Sequence, residues 1–206
     1  MLTLYTAPGT CALASHIALE ETGAEYELKR IDFKADQQRS AEYLAVNPKG
    51  RVPALVTPRG ILTENTAILA FIAQSFPEAR LAPLDDPFAF AQLQAFNSYL
   101  ASTVHVAHAH GRRGSRWADE PEAIAAMQKK VPETMTAGLA LIENGMFKGP
   151  WVMGESYSVA DPYLYTIGLW LEGDQVDVSK LPKVMEHRAR MNERPQVAKA
   201  LAAQKG

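Results

Sequence analysis

Residues 47–72 read NPKGRVPALVTPRGILTENTAILAFI, and the architecture of the chain turns on them. Two short apolar runs, 52–57 (VPALVT) and 60–63 (GILT), flank the turn signal Pro58-Arg59-Gly60 and predict a hairpin. Thr66–Phe76 follows with helical spacing and stops at Pro77. Pro53 removes a ladder donor at the start of its strand. A cis Val52-Pro53 bond would turn the Val52 main chain outward, free to pair with something extended, although trans is the commoner form.

Upstream, strand and helix signals alternate. Leu2–Thr6 is a short strand closed by Pro8-Gly9. Cys11–Thr22 reads as a helix, with Leu13/Ile17 and Ala14/Ala18 at helical spacing and Gly23 as its C-cap. Glu25–Asp32 alternates as a strand does, and Gln38–Val46 is a weak short helix. The order is therefore βαβαββα. One crossover and one hairpin together predict a mixed sheet, an α/β fold.

Downstream of the polar, proline-bearing stretch Arg80–Pro87 the pattern is helical throughout. Helices are expected at Phe88–Ala109, Pro121–Phe147 (kinked at Pro132), Ser158–Glu172, Leu181–Asn192 and Pro195–Ala203. The expected organisation is an α/β domain over 1–79, a linker over 80–87 and an all-α domain over 88–206.

Composition narrows the function classes. Of 206 residues, 47% are hydrophobic and 21% charged, with a net charge of −2, so no nucleic-acid partner and no membrane partner is expected. A single cysteine excludes an internal disulfide framework, and no Cys/His spacing suggests zinc. Met1-Leu2-Thr3-Leu4-Tyr5 lacks the basic start of a signal peptide, and a cytoplasmic location is expected.

The lone cysteine follows a Pro-Gly turn at a helix start. Free N–H groups and the helix dipole there favour thiolate, with Thr10 as a candidate N-cap. The plain alternative is a small packing residue, since free cysteine is often buried and inert. Ala14 excludes a C-x-x-C dithiol, so redox chemistry at Cys11 would need an outside thiol.

Further along, Glu64-Asn65 opens a helix. Asn65 is placed to cap it, the helix start can hold a ligand carboxylate, and Glu64 can meet an ammonium; routine capping is the simpler reading. His105, His108 and His110 lie close together, with 105 and 108 on one face. No neighbouring acid or cysteine completes a metal site, so no metal is expected. His105 is expected to face a cleft and the other two the surface or a subunit. Arg112-Arg113-Gly114-Ser115-Arg116 reads as a solvated loop or a rim that attracts anionic ligands.

These stretches, in this order before an all-helical domain, resemble the cytosolic glutathione transferase family. Ser158-Val159-Ala160-Asp161 matches the family's S-x-x-D motif and has a physical reading as a capping box. Cys11 and His105 look most like the bacterial beta class, although Ala12 stands where that class usually has serine. The resemblance implies a thioredoxin-like first domain, with Val52-Pro53 as its cis-proline. It implies glutathione as co-substrate, with Cys11 at its sulfur, Arg51 and Val52 along its backbone, and Glu64 and Asn65 at its γ-glutamyl end. His105 would stand near the thiol. Tyr5, close to where tyrosine-type members carry the hydroxyl that activates the thiol, and Thr10 would be candidate catalytic hydroxyls, with packing beneath the site the simpler reading of Tyr5. The pocket would be lined near Pro8, Thr10, His105, His108, Arg112 and Trp117 or by the C-terminal helices. It also implies conjugation to small hydrophobic electrophiles, a detoxification role and a homodimer. Two alternatives keep the same fold. One is a glutathione-dependent thiol-disulfide or reductive enzyme with Cys11 as nucleophile, the other a non-catalytic binding protein.

Overall fold

The computed structural model describes residues 1–205; Gly206, the last residue of the expected second domain, lies outside the described residues. The first 75 residues form β1 (Leu2–Thr6), α1 (Ala12–Thr22), β2 (Tyr26–Arg30), α2 (Ala41–Val46), β3 (Ala54–Thr57), β4 (Gly60–Thr63) and α3 (Asn65–Ser75). The sheet runs β2-β1-β3-β4. β1 pairs parallel with β2 and antiparallel with β3, with Leu4 opposite Leu55, and β3–β4 is the predicted hairpin, with Leu55 opposite Leu62. The sheet is mixed, as the βαβαββα order predicts.

Leu4 and Leu55 are fully buried at its centre, in one cluster with Ala14 and Ala18 of α1 and Ile68, Leu69 and Ile72 of α3. On the opposite face Tyr43 of α2 packs with Ala7, Ile31 and Val52. Every residue of α1 from Ala12 to Leu19 is buried. A helix buried on all sides needs neighbours on all sides, and α1 has the sheet and α3 on one flank and the later helices on the other.

The helical part comprises α4 (Pro87–Tyr99), α5 (His105–Arg113), α6 (Pro121–Leu141), α7 (Ala160–Gly168), α8 (Pro182–Asn192) and α9 (Pro195–Lys205). Several boundaries differ from the expected ones. The Asp86 carboxylate accepts from the N–H groups of Phe88 and Ala89, so α4 starts at Pro87, inside the expected linker. A π-helical turn, Leu100–Val104, joins α4 to α5 and sets the start of α5 at His105. Helix then continues to Arg113, four residues beyond the expected Ala109, which brings the arginines onto it. α6 runs continuously through Pro132.

Asp161 is the polar anchor of this part. Its carboxylate accepts from the Ser158 N–H at 2.7 Å and the Val152 N–H at 2.8 Å, and lies 3.0 Å from His187 Nε2, with Asp161 and His187 both fully buried. The back-bond to Ser158 is the capping-box contact that S-x-x-D predicts.

The two parts meet along α1. Leu13 and Ile17 join Tyr165, Met191, Val197 and Ala200 in one buried cluster. Burying a side chain of that size contributes about 1.5–3 kcal/mol. At the far end of α1, Glu21 receives two hydrogen bonds of 2.7 Å from Arg194, whose guanidinium lies 3.9 Å over the Tyr157 ring.

Candidate active site

The site starts at the turn after β1. Gly9 has φ +71°, a left-handed conformation in which a side chain would be strained. The Thr10 hydroxyl donates to the Ala7 carbonyl at 2.7 Å and closes the turn. Thr10 is therefore not the helix cap: Cys11 holds the cap position, with no side-chain capping bond. The Cys11 S–H donates to the Val52 carbonyl at 3.7 Å.

That geometry favours the packed thiol over the thiolate. Burial pushes the Cys11 thiol up from 9.0 to about 11, with a small further push from Glu64, and this outweighs the pull of Arg113, a backbone hydrogen bond and Arg51. Removing a thiolate from water costs more here than the helix start and those guanidiniums return. Cys11 is a protonated thiol at neutral pH.

Opposite it, the Val52-Pro53 bond is cis. Among the described residues the Val52 N–H has no main-chain hydrogen-bond partner. The Arg51 carbonyl accepts from Tyr43 Oη at 2.7 Å and Asn47 Nδ2 at 2.6 Å, which fixes the segment from behind.

The third wall is the start of α3. Glu64 has φ +71° and ψ 121°. A non-glycine residue held there costs about 1–3 kcal/mol, and such outliers cluster at functional sites. Its carboxylate meets Lys49 Nζ, while Lys49 also donates to Thr63 Oγ1 at 2.7 Å. Asn65 is the first residue of α3 rather than its cap. Its Oδ1 accepts from Ser15 Oγ at 2.6 Å, and its buried Nδ2 has no partner among the described residues.

The second half of the chain closes the cleft, which has a volume of about 810 Å³. Cys11, Val52, Glu64, Asn65 and His105 all line it, together with Thr10, Arg51 and Pro53. Tyr5 does not. Its ring packs tilted against Tyr43 at 5.4 Å and borders a separate small depression, in keeping with a packing role. Pro8 does not line the cleft either, whereas Arg112 and Trp117 do.

The histidines differ from expectation in one respect. His105 lines the cleft, 5.0 Å from the Trp170 ring, and burial with help from Arg113 and His108 pushes it from 6.5 down to about 3. His108 is not on the surface. It is buried, stacked on Trp170 at 4.1 Å, and its Nδ1 lies 2.7 Å from Asp174. The chain thus supplies, from 66 residues away, the acid missing near His108 in sequence. No group of three or more metal-ligating side chains occurs among the described residues. Trp170 Nε1 donates to the Gly9 carbonyl at 3.2 Å and ties this cluster to the first turn. Trp170 and Asp174 were missed as site residues, whereas Arg113 belongs to the run read as a solvated loop or a rim for anionic ligands. The spacing of four between Trp170 and Asp174 is a weak helical signal, but nothing local links either to Gly9 or His108.

Residues 1–74 match the model described as "Glutathione S-transferase, N-terminal domain", and residues 110–204 match "Glutathione S-transferase, C-terminal domain". Glutathione S-transferase GstA of Escherichia coli O157:H7 is 31% identical, with 98% of each chain covered. A glutathione transferase homolog from Sulfitobacter, solved with bound glutathione, is 46% identical with a TM-score of 0.95 over 98% of each chain. A bacterial beta class glutathione S-transferase from Sphingomonas chungbukensis is 33% identical with a TM-score of 0.84, again over 98% of each chain.

Proposed function

The chain belongs to the glutathione S-transferase family, and from that premise we propose that it conjugates glutathione to small, largely apolar electrophiles. The observation that carries this reading is the convergence of Cys11, Val52, Glu64 and His105 on one cleft. The unpaired Val52 N–H and the Val52 carbonyl are suited to main-chain pairing with the cysteinyl residue of glutathione. The start of α3, with Glu64, Asn65 and the unpartnered Asn65 amide, suits its γ-glutamyl end. Arg51 suits a carboxylate.

In this reading Cys11 is a donor rather than a nucleophile. A protonated thiol gives a hydrogen bond to a neighbouring sulfur and favours its anionic form. His105, kept neutral, is too weak a base to carry the proton away, and serves as a polar partner to the sulfur. Arg51, Arg113 and the α1 N-terminus add positive potential. Tyr5 has no part in it, and Thr10 acts by closing the turn.

The proposal includes domain limits of 1–79 and 88–206 around a linker of 80–87, a homodimer, a cytoplasmic location and a detoxification role. No helix among the described residues is long and apolar enough to cross a membrane, which is consistent with that location. A second reading, thiol-disulfide exchange, draws on the Cys11 sulfur in the cleft wall. Its thiolate would attack oxidised glutathione, releasing one glutathione as thiolate and leaving a mixed disulfide.

Calorimetric titration with glutathione and turnover of a neutral chlorodinitrobenzene test the first reading. Saturable binding with conjugation supports it, and absence of binding overturns it. Intact mass after incubation with oxidised glutathione tests the second.

A further inference from the structure

Among the described residues, five guanidiniums line the cleft, and of these only Arg39 has an ion-pair partner, Asp36 at 3.5 Å. Among the described residues, Arg51, Arg112, Arg113 and Arg116 make no hydrogen bond or ion pair through their side chains. The carboxylates on the same cleft are engaged elsewhere: Glu64 with Lys49, and Asp174 with His108. A chain of net charge −2 has thus gathered four uncompensated cations in one concavity.

Like charges lining one cleft repel, and partial burial sharpens the repulsion at Arg113, whereas Arg51, Arg112 and Arg116 are exposed. Arg113 is half-buried, and its guanidinium pKa is pushed down by burial and by Arg51 and Arg112; Arg116 feels burial, Arg113, Arg51 and Arg39. Arg112 and Arg113 gain something from the C-terminal end of the α5 dipole, but Arg116 lies beyond the helix and gains nothing. Such a group is stable with an anion among it.

Glutathione carries two carboxylates and one ammonium. If it sits as proposed above, its γ-glutamyl carboxylate faces α3 and its other carboxylate faces Arg51. Arg112, Arg113 and Arg116, all contributed by the second half of the chain beside His105, remain. The cleft there also has an apolar wall from Trp117, Leu169 and Trp170.

We propose that the second substrate is an electrophile with an apolar body and a carboxylate, its ring against Trp117 and Trp170 and its carboxylate in the fork of Arg113 and Arg116. This rests on the glutathione-transferase reading. Guanidinium forks bind planar oxyanions in pairs of hydrogen bonds, which fixes direction as well as charge. The step balances simply: the glutathione thiolate attacks the carbon bearing the leaving group, the C–S bond forms, the halide departs with its bonding pair, and the thiol proton passes to solvent.

The test has two arms. In the first, dinitrobenzoate and dinitrobenzene, which lack a leaving group, are titrated into glutathione-loaded protein. The benzoate binds tighter by about tenfold or more, the margin expected of a charge-assisted pair, and added salt erodes that margin. R113Q and R116Q lower the benzoate-to-benzene ratio by a similar factor. Equal binding of the two probes overturns the proposal, as does an equal loss of glutathione affinity in both variants, which would assign the arginines to glutathione. In the second arm, turnover of a chlorodinitrobenzoate is compared with a chlorodinitrobenzene. A preference in binding without turnover of either substrate would keep the anion site and remove the conjugation reading. Turnover of both without preference would do the reverse.

Discussion

His108 Nδ1 lies 2.7 Å from Asp174 Oδ2, with both residues buried and the His108 ring stacked on Trp170 at 4.1 Å. An ionised carboxylate only accepts, so the Nδ1 proton is donated to Asp174 and the ring orientation is fixed. The ring in turn supports Trp170, whose indole N–H reaches the Gly9 carbonyl. Removing Asp174 leaves a buried N–H without a partner. Asp174→Ala is expected to lower stability by about 1–3 kcal/mol, measured by urea denaturation. Asp174→Asn, which keeps an acceptor, should lose less. Both should weaken glutathione binding less than a substitution at Glu64.

The Cys11 thiol is expected to react slowly with iodoacetamide near neutral pH, with a rate that rises through pH 9.0 towards about 11. Its folded-state pKa lies above the unfolded one, so the folded chain binds more protons in that interval. The stabilising contribution is complete below 9.0 and is lost as pH climbs towards 11. A labelling rate already at its plateau at neutral pH would contradict the burial argument and favour the nucleophilic reading.

His105 behaves in the opposite sense. Its folded pKa is pushed below its unfolded value of 6.5, to about 3, so the unfolded chain takes up a proton that the folded chain refuses. Stability should fall as pH drops from 6.5 towards 3, and His105→Gln should flatten that part of the curve. The ring resonances of His105 should not titrate between about pH 5 and 8, the range in which an ordinary histidine does.

Glu64 combines a strained backbone with a carboxylate on the cleft. Glu64→Gly relieves the positive φ, and is expected to leave stability unchanged or to raise it by up to about 1 kcal/mol. The same change should weaken glutathione binding by about tenfold. Paired thermal-shift and titration measurements read the two effects separately. A simultaneous loss of stability and binding would show that the strain argument is wrong.

Arg194→Ala removes two hydrogen bonds to Glu21 and the contact over Tyr157. A loss of about 1–3 kcal/mol is expected, and calorimetry should show whether the two halves then melt separately.

The features legible in sequence were those written in local chemistry. Pro58-Arg59-Gly60 between two apolar runs gives the hairpin, and the hairpin with the crossover gives the mixed sheet. Val52 and Glu64 could be named because each carries a local oddity, a proline beside it and an acid at a helix start, and His105 because of the family resemblance. Sequence left Cys11 between a thiolate and a buried packing residue because its protonation state depends on burial by groups distant in sequence, which the helix-start argument ignores. Asn65 was read as a cap because nothing marks Ser15 as its partner. The Gly9–Trp170 and His108–Asp174 contacts span 161 and 66 residues, and no period or turn signal encodes such pairings.

Helix α1 has a consequence for how this chain tolerates change. Cys11 stands at one end of it and the Glu21–Arg194 clamp at the other, with eight consecutive buried residues between them. No face of that segment is spare, and the side chains of Glu20 and Glu21 beyond it are buried in ion pairs with Lys199 and Arg194, so a random-mutagenesis library should recover few variants anywhere from Ala12 to Glu21. Divergence in substrate preference would then be confined to the α5 end of the cleft, where Arg112 and Arg116 are exposed and replaceable without disturbing the core.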